Sequence, residues 1–274
     1  MIPAKFDYEI AGSVDDAIRL LGEGEDAKLL AGGHSLLPLM KLRFARPGLL
    51  VDIGRLSDLS YVKDAGNTVA IGALTRHHDV ATSALLREQC GIVAHTAGQI
   101  GDPQVRHRGT IGGSVAHGDP ASDMPTVLVA LDAELVVRGP GGERTIGAGD
   151  FFKGFLETAL GPQDFLTEIR VPKLGGAGCA YVKFNRRAQD WATVAVAAIV
   201  SNGSAKVALT NMGPTPLRAR AVEEAFASGA DAAAAAAKAA EGTSPPSDSN
   251  GTADYRRYLA TVLTRRALEK ALAR

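Results

Sequence analysis

The sequence predicts an α+β protein, and three observations carry that prediction. Ala27 to Arg43, AKLLAGGHSLLPLMKLR, reads as a strand, a paired-glycine turn and a helix in succession. Further on, apolar helical stretches are interspersed with short apolar strands. After Gly175-Gly176-Ala177-Gly178 the character changes to three consecutive strands and then an Ala-rich helical C-terminus. At 274 residues the chain is near the limit for one core and buries roughly three quarters of its unfolded surface, which favours two or three subdomains.

Taken in order, Ser13-Val14-Asp15-Asp16 has capping-box character and opens the helix DDAIRLLG, with Ala17, Ile18 and Leu21 on one face. Gly22 to Ala27, GEGEDA, matches a dinucleotide pattern by letter, but it follows a helix where that fingerprint must follow a strand. It is read as a helix stop and a loop. AKLLA is then a short buried strand, Gly32-Gly33 the turn leaving it, and Ser35 the N-cap of LLPLMKLR, with Pro38 tolerated in the first turn. LLVDIG and TVAIGAL read as strands separated by the polar turn KDAGN. From Thr75 the chain is helical, with a break and a second N-cap near Thr82-Ser83.

Gly101 to Pro125, GDPQVRHRGTIGGSVAHGDPASDMP, is the stretch around which the rest is arranged. It combines a paired-glycine turn at Gly112-Gly113, a flexible loop and a carboxylate at Asp123. Successive glycines let main-chain N–H groups lie against an anion, and a turn between strand and helix adds the positive end of the helix dipole. Two such turns, at Gly32-Gly33 and Gly112-Gly113, suit one diphosphate held from both sides. MPTVLVALDA follows as a buried helix, ELVVRG and ERTIG as a hairpin, DFFKGF as a short helical turn and DFLTEIRVP as a strand. CAYVKFNRR, WATVAVAAIVS and AKVALTNMG are the three later strands, the last two joined at Asn202-Gly203-Ser204. From Leu217 the chain is helical apart from the loop GTSPPSDSNG, and ADAAAAAAKAA is read as a peripheral helix on the sheet.

Several function classes lose their support. Lys plus Arg and Asp plus Glu number 30 each, so there is no electrostatic footprint for nucleic acid or an acidic membrane. His34, His77, His78, His95, His107 and His117 show no metal-ligand spacing with Cys90 or Cys179, and are read as structural or solvated. GGSVA lacks the last glycine of a nucleophile elbow, and no triphosphate-binding loop is present. Two isolated cysteines point to a reducing compartment. The start MIPAKFDYEI has no leader pattern and no apolar run reaches the ~18 residues of a membrane span, so a cytoplasmic protein is expected.

AGGHS at 31–35, TIGGS at 110–114 and the Asp119 to Asp123 D-x-x-x-D together resemble the FAD-binding (medium) subunit of the molybdenum hydroxylases, the carbon monoxide dehydrogenase and xanthine dehydrogenase family. The resemblance covers nearly the whole chain. It implies a PCMH-type FAD-binding fold: two α/β subdomains, 1–57 and 58–174, that grip FAD, then a C-terminal domain, 175–274, of a three-stranded antiparallel sheet and helices. Carried over by position, Lys28, Ala31, Gly32, Gly33, His34 and Ser35 form the first FAD segment, and Thr110, Ile111, Gly112, Gly113 and Ser114 the second. Asp123 falls on the ribityl hydroxyls, a Leu166 main-chain group on the flavin edge and Lys183 near a flavin carbonyl. A carboxylate accepts from sugar hydroxyls, and a cation favours the negative charge of reduced flavin. Ile100 packs on the cofactor. Trp191 stands where some relatives carry a ring-stacking tyrosine, or is a half-buried aromatic beginning a strand; Arg106 and Arg108 compensate phosphate charge or form an exposed loop face.

The function implied is that of an electron-transfer subunit of an oxidoreductase, not turning over substrate alone. It holds FAD non-covalently, takes electrons from a small [2Fe–2S] subunit and passes them to quinone, dioxygen or a nicotinamide nucleotide. A large molybdopterin subunit oxidises the substrate, the whole being a dimer of heterotrimers. Two cysteines cannot supply the four ligands of a [2Fe–2S] cluster, which places the cluster on another chain. The alternatives are a self-contained FAD-dependent oxidase or reductase, and a non-catalytic flavin-binding regulatory module.

Overall fold

The computed structural model describes residues 1–273. Strand β1 (Asp7–Ile10) leads into helix α1 (Val14–Glu23). The helix starts as its sequence predicts: the Ser13 hydroxyl accepts from the Asp16 N–H at 3.1 Å, and the Asp16 carboxylate accepts from the Gly12 N–H at 2.9 Å. Ala17, Leu20 and Leu21 are buried, with Ile18 partly so at the edge of that core, and Gly24 closes the helix. Strand β2 (Lys28–Leu30), helix α2 (Leu36–Lys41) and strand β3 (Leu49–Asp52) complete a parallel sheet of order β1-β3-β2. Two expectations are corrected here. AKLLA is an edge strand with Lys28 exposed and Leu29 and Leu30 half-buried, not a buried one. Ser35 precedes α2 but its hydroxyl caps nothing, because its own backbone is already helical (φ −102°, ψ −51°) instead of extended. Strand β1 left no trace in the sequence; all four of its residues are exposed.

After a 3-10 turn at Ser57–Leu59 comes a hairpin, β4 (Val62–Ala65) and β5 (Thr68–Gly72). KDAGN is thus the end of a strand plus a turn. Six short helices follow: α3 (His77–Thr82), α4 (Ala84–Gln89), α5 (Gly91–Ala97), α6 (Pro103–Arg108), α7 (Ile111–His117) and α8 (Asp123–Ala130). The expected break falls at Ser83, whose hydroxyl accepts from the Leu86 N–H at 3.3 Å. Gly112-Gly113 is the first turn of α7, not a free turn. Strands β6 (Glu134–Gly139) and β7 (Gly142–Gly147) form the second hairpin. DFFKGF divides between helix α9 (Ala148–Phe151) and strand β8 (Phe152–Gly154), which pairs with β9 (Glu157–Thr158) before the long β10 (Phe165–Pro172). The resulting antiparallel sheet runs β4-β5-β10-β6-β7.

The C-terminal part is a meander, β11 (Gly178–Phe184), β12 (Val194–Ser201), β13 (Ser204–Thr210) and β14 (Leu217–Arg218), then α10 (Arg220–Ala227), α11 (Ala232–Ala236) and α12 (Ala253–Leu272). The sheet therefore has four strands where three were expected; two residues are too few to leave a period in the sequence. Strand β12 is apolar on both faces because both faces are covered. Ala195, Ala197 and Ile199 join the core shared with α8, while Val194, Val196 and Ala198 join the core under α12. Helix α11 packs on α10 and α12, which places it at one remove from the sheet on which ADAAAAAAKAA was expected to sit. Every residue of α8 is buried, as the sequence predicts for MPTVLVALDA.

Candidate functional site

A cavity of about 690 Å³ opens between the β2–α2 connection, the start of α7, β10 and β11. Ligand sites of this kind typically measure ~300–1,000 Å³. The first glycine segment forms one wall. The main-chain N–H groups of Gly32, Gly33, His34 and Ser35 have no acceptor among the described residues. Gly33 has φ +77°, which a glycine adopts at little cost, and its carbonyl accepts from the Leu37 N–H at 3.0 Å to begin α2. Lys28 lies at the entrance with its ammonium 3.8 Å from the Asp26 carboxylate, Ala31 lines the wall, and His34 is exposed at its edge.

Arg108-Gly109, which lead into the second segment, meet the first directly, and the second segment itself packs on Ala73. A Cβ on Gly32 would lie 2.3 Å from the Arg108 carbonyl oxygen, and one on Gly112 would lie 2.5 Å from the Ala73 Cβ. These two glycines therefore serve close approach of backbone to backbone. Thr110 is the N-cap of α7 and its hydroxyl accepts from the Gly113 N–H at 3.1 Å; Gly112 donates to Ala73 O at 2.9 Å and Ser114 to Thr110 O at 3.1 Å. The Ile111, Gly112, Gly113 and Ser114 N–H groups of the second segment are thus already engaged, so apart from Thr110 the free donors belong to the first. Thr110, Gly112, Gly113 and Ser114 still line the cavity, whereas the Ile111 side chain points away into the core beneath α7.

The far wall is charged and buried. Asp123, at the start of α8, accepts from Lys183 Nζ at 2.8 Å and from the Tyr181 hydroxyl at 2.6 Å, and Lys183 also donates to the Gln99 carbonyl at 3.4 Å. Only 7% of the Asp123 side chain and 4% of the Lys183 side chain are exposed. Burial raises the Asp123 pKa above the ordinary carboxylate value, while the ammonium and the two hydrogen bonds oppose that rise. Burial also raises the Tyr181 phenol well above its usual value, helped by the neighbouring carboxylate. Leu166 reaches the cavity from β10 beside a bulge between Leu166 and Glu168. Ile100 lies half-buried between α5 and α6, and Trp191 stands at the rim, 52% exposed, three residues before β12. Arg106 donates to the carbonyls of Ile100 and Gly101 at 3.0 and 3.3 Å and so fixes that turn; Arg108 is exposed and faces a separate recess with Arg55 and Arg76.

Two residues escaped the sequence reading. Tyr181 lies two positions before Lys183 on one strand and so on the same face, a period-two signal that would have found it. His77 lines the cavity although only 3% exposed; its Nδ1 has no partner among the described residues, and burial, then His34 and Arg106, push its pKa down to about 4. No motif marks that histidine. Among the described residues no group of three or more His, Cys, Asp or Glu is arranged to hold a metal ion, Cys90 and Cys179 are buried without a disulfide, and no helix is long and apolar enough to cross a membrane.

Comparison with known proteins gives the family. Residues 4–174 match the model of the FAD binding domain in molybdopterin dehydrogenase, and residues 179–271 that of the CO dehydrogenase flavoprotein C-terminal domain. The chain is 44% identical to the carbon monoxide dehydrogenase medium chain of Hydrogenophaga pseudoflava, covering 100% of this chain and 99% of that one. It is 39% identical to the glyceraldehyde dehydrogenase medium chain of Sulfolobus acidocaldarius, covering 98% and 99%. A solved carbon monoxide dehydrogenase from Hydrogenophaga pseudoflava superposes with a TM-score of 0.96 at 45% identity, over 100% of this chain and 99% of that one. With a cavity wall of free N–H donors, FAD as the cofactor and relatives matched end to end, the chain belongs to the FAD-binding medium subunits of the molybdenum hydroxylase oxidoreductases, the carbon monoxide dehydrogenase and xanthine dehydrogenase family.

Proposed function

We propose that this chain is an electron-transfer subunit that holds FAD non-covalently in the cavity, takes electrons from a [2Fe–2S] partner chain and passes them to an external acceptor. A large molybdopterin chain would oxidise the substrate, in a dimer of heterotrimers placed in the cytoplasm. The observation that carries the reading is the row of four unsatisfied N–H groups from Gly32 to Ser35 on one wall, opposite a buried Lys183–Asp123 pair. Unpaired donors suit the oxygens of a diphosphate, and their cost to the fold falls when an anion accepts from them. The flavin, when bound, supplies interchange between single-electron and paired-electron transfer.

The remaining roles fall to this chain's residues. Thr110 fixes the start of α7, Gly32 lets the first segment close on Arg108-Gly109 just ahead of the second, and Gly112 lets α7 close on Ala73. Asp123 retains acceptor capacity for sugar hydroxyls beyond the bonds from Tyr181 and Lys183, since a carboxylate offers about four lone-pair sites. Lys183 supplies a positive charge where the pyrimidine end of the ring would lie, and Leu166 a main-chain group at the ring edge. Trp191 shields the rim.

Acid or heat release followed by chromatography tests the cofactor, with FAD expected in the supernatant. FMN, or flavin still attached to the denatured chain, refutes the assignment. Anaerobic mixing tests the role: the flavin-loaded chain alone should stay oxidised in the presence of carbon substrates and be reduced once the partner chains are added. Rapid bleaching of the single chain by one substrate would instead establish a self-contained oxidase.

A further inference from the structure

We infer that His77 contacts the bound dinucleotide, as a neutral imidazole whose Nε2–H donates to an anionic oxygen at the corner between the two glycine segments. The inference rests on the FAD reading above and adds a residue that neither glycine motif contains.

Three observations place the ring there. Its Cδ2–Nε2 edge lies against Gly109: a Cβ on that glycine would be 3.0 Å from Cδ2 and 3.4 Å from Nε2. Gly109 is in turn pressed against Gly32, whose own Cβ would lie 2.8 Å from the Gly109 Cα. His77, Gly109 and the first glycine segment thus form consecutive layers of one wall, and the His77 main chain is tied to the middle layer by its N–H donating to Gly109 O at 3.0 Å.

The ring also carries an unpaired nitrogen. Nδ1 is sealed inside the protein without a partner, and Nε2, also without a protein partner, is on the edge that reaches the cavity. A buried imidazole with no bond to the protein contributes nothing to the fold that an apolar ring of similar size would not. Its presence is explained by a group outside the chain. The chemistry of that group follows from the neighbours: four free N–H donors on the adjacent segment, with His34 and Arg106 close enough to act on the ring, favour an anion. Protonation would put an N–H at Nδ1 with no acceptor, and the ring is held neutral, its pKa pushed down to about 4. It therefore serves as a dipolar donor at Nε2 and does not compete with the backbone by adding charge.

The test uses the full chain and FAD. Replacing His77 by Phe keeps ring size and removes both nitrogens; His77→Gln keeps an N–H donor near the Nε2 position. A hydrogen bond to a charged group makes the Phe variant bind FAD roughly ten- to hundredfold more weakly, with Gln recovering much of the loss. Flavin-free His77→Phe should melt at the same temperature as wild type or higher, because an unsatisfied buried nitrogen has gone; a packing role predicts lower. In 15N-histidine-labelled wild type, the Nε2 resonance absent from the Gln variant should move on addition of FAD. Wild-type chain that takes up no FAD overturns the cofactor reading and this inference together. Wild-type binding with unchanged affinity in both variants, or with an Nε2 resonance that stays still, overturns this inference alone.

Discussion

Lys183→Met tests the charged wall. The substitution keeps the length of the side chain and removes the ammonium that sits 2.8 Å from Asp123, in a place where both side chains are more than nine-tenths buried. Breaking a buried pair by removing one partner costs about 3–5 kcal/mol, because the remaining charge is left without compensation. Asp123 has one escape, which is to take a proton. Burial already raises its pKa above the unfolded value, and loss of the cation raises it further. For a carboxyl whose folded pKa lies above its unfolded pKa, the folded state binds more protons, so stability is retained at low pH and lost as pH rises through the folded value. The penalty of Lys183→Met should therefore be small near pH 5 and grow towards pH 8. Urea unfolding of wild type and variant, flavin-free, across that range measures it. The pair Lys183→Met with Asp123→Asn should recover most of the loss at high pH, since no buried charge remains. A penalty that is flat with pH, or below ~1 kcal/mol throughout, would refute the reasoning and mean that water reaches the pair.

Two further outcomes are expected. Gly112→Ala should destabilise the fold by ~1–3 kcal/mol because its Cβ meets Ala73 side chain and backbone, whereas Gly113→Ala, whose Cβ meets only the capping Thr110 hydroxyl at 2.8 Å, should cost less, at most the ~0.5–2 kcal/mol of a lost cap, and weaken FAD binding as well; a larger melting loss for Gly113→Ala than for Gly112→Ala would contradict this division. His77 is neutral in the fold down to about pH 4 while the unfolded chain protonates it near 6.5, so between those values the unfolded state binds the extra proton and stability falls as pH falls, by up to ~3 kcal/mol; His77→Phe should flatten that part of the stability–pH curve.

The sequence made the architecture legible wherever packing repeats. Helix α1 carries its cap and its apolar face within ten residues, α8 is apolar throughout, and the hairpins show their glycines. What it hid depends on neighbours far along the chain. Strand β1 is exposed and pairs with Leu49–Asp52, so its own residues carry no pattern. The glycine pairs were visible as glycines, but their division of labour was not: whether a missing Cβ admits a ligand or a distant carbonyl is decided by Arg108 facing Gly32 and Ala73 facing Gly112. Ser35 has the right chemistry for a cap and the wrong backbone. Asp123 and Lys183 came from resemblance and were assigned to different parts of the cofactor; that they bond each other, with Tyr181 as third member, is a property of the docking of α8 onto β11. His77 left no signal because its distinction is a partner it lacks.

The Asp123–Lys183–Tyr181 contact also bears on how this chain can be divided. The two family matches part between residues 174 and 179, which invites the view of a flavin domain carrying a detachable appendix. Asp123 belongs to the first match, and Tyr181 and Lys183 to the second. A cut in the Gly175–Gly178 link would strip the carboxylate of its ammonium and phenol and bare the inward face of α8, so the piece left behind would carry an orphaned anion and an open apolar flank. In this chain the two matched regions are therefore tied at a buried contact, with the acid on one side answered by the base and the hydroxyl on the other.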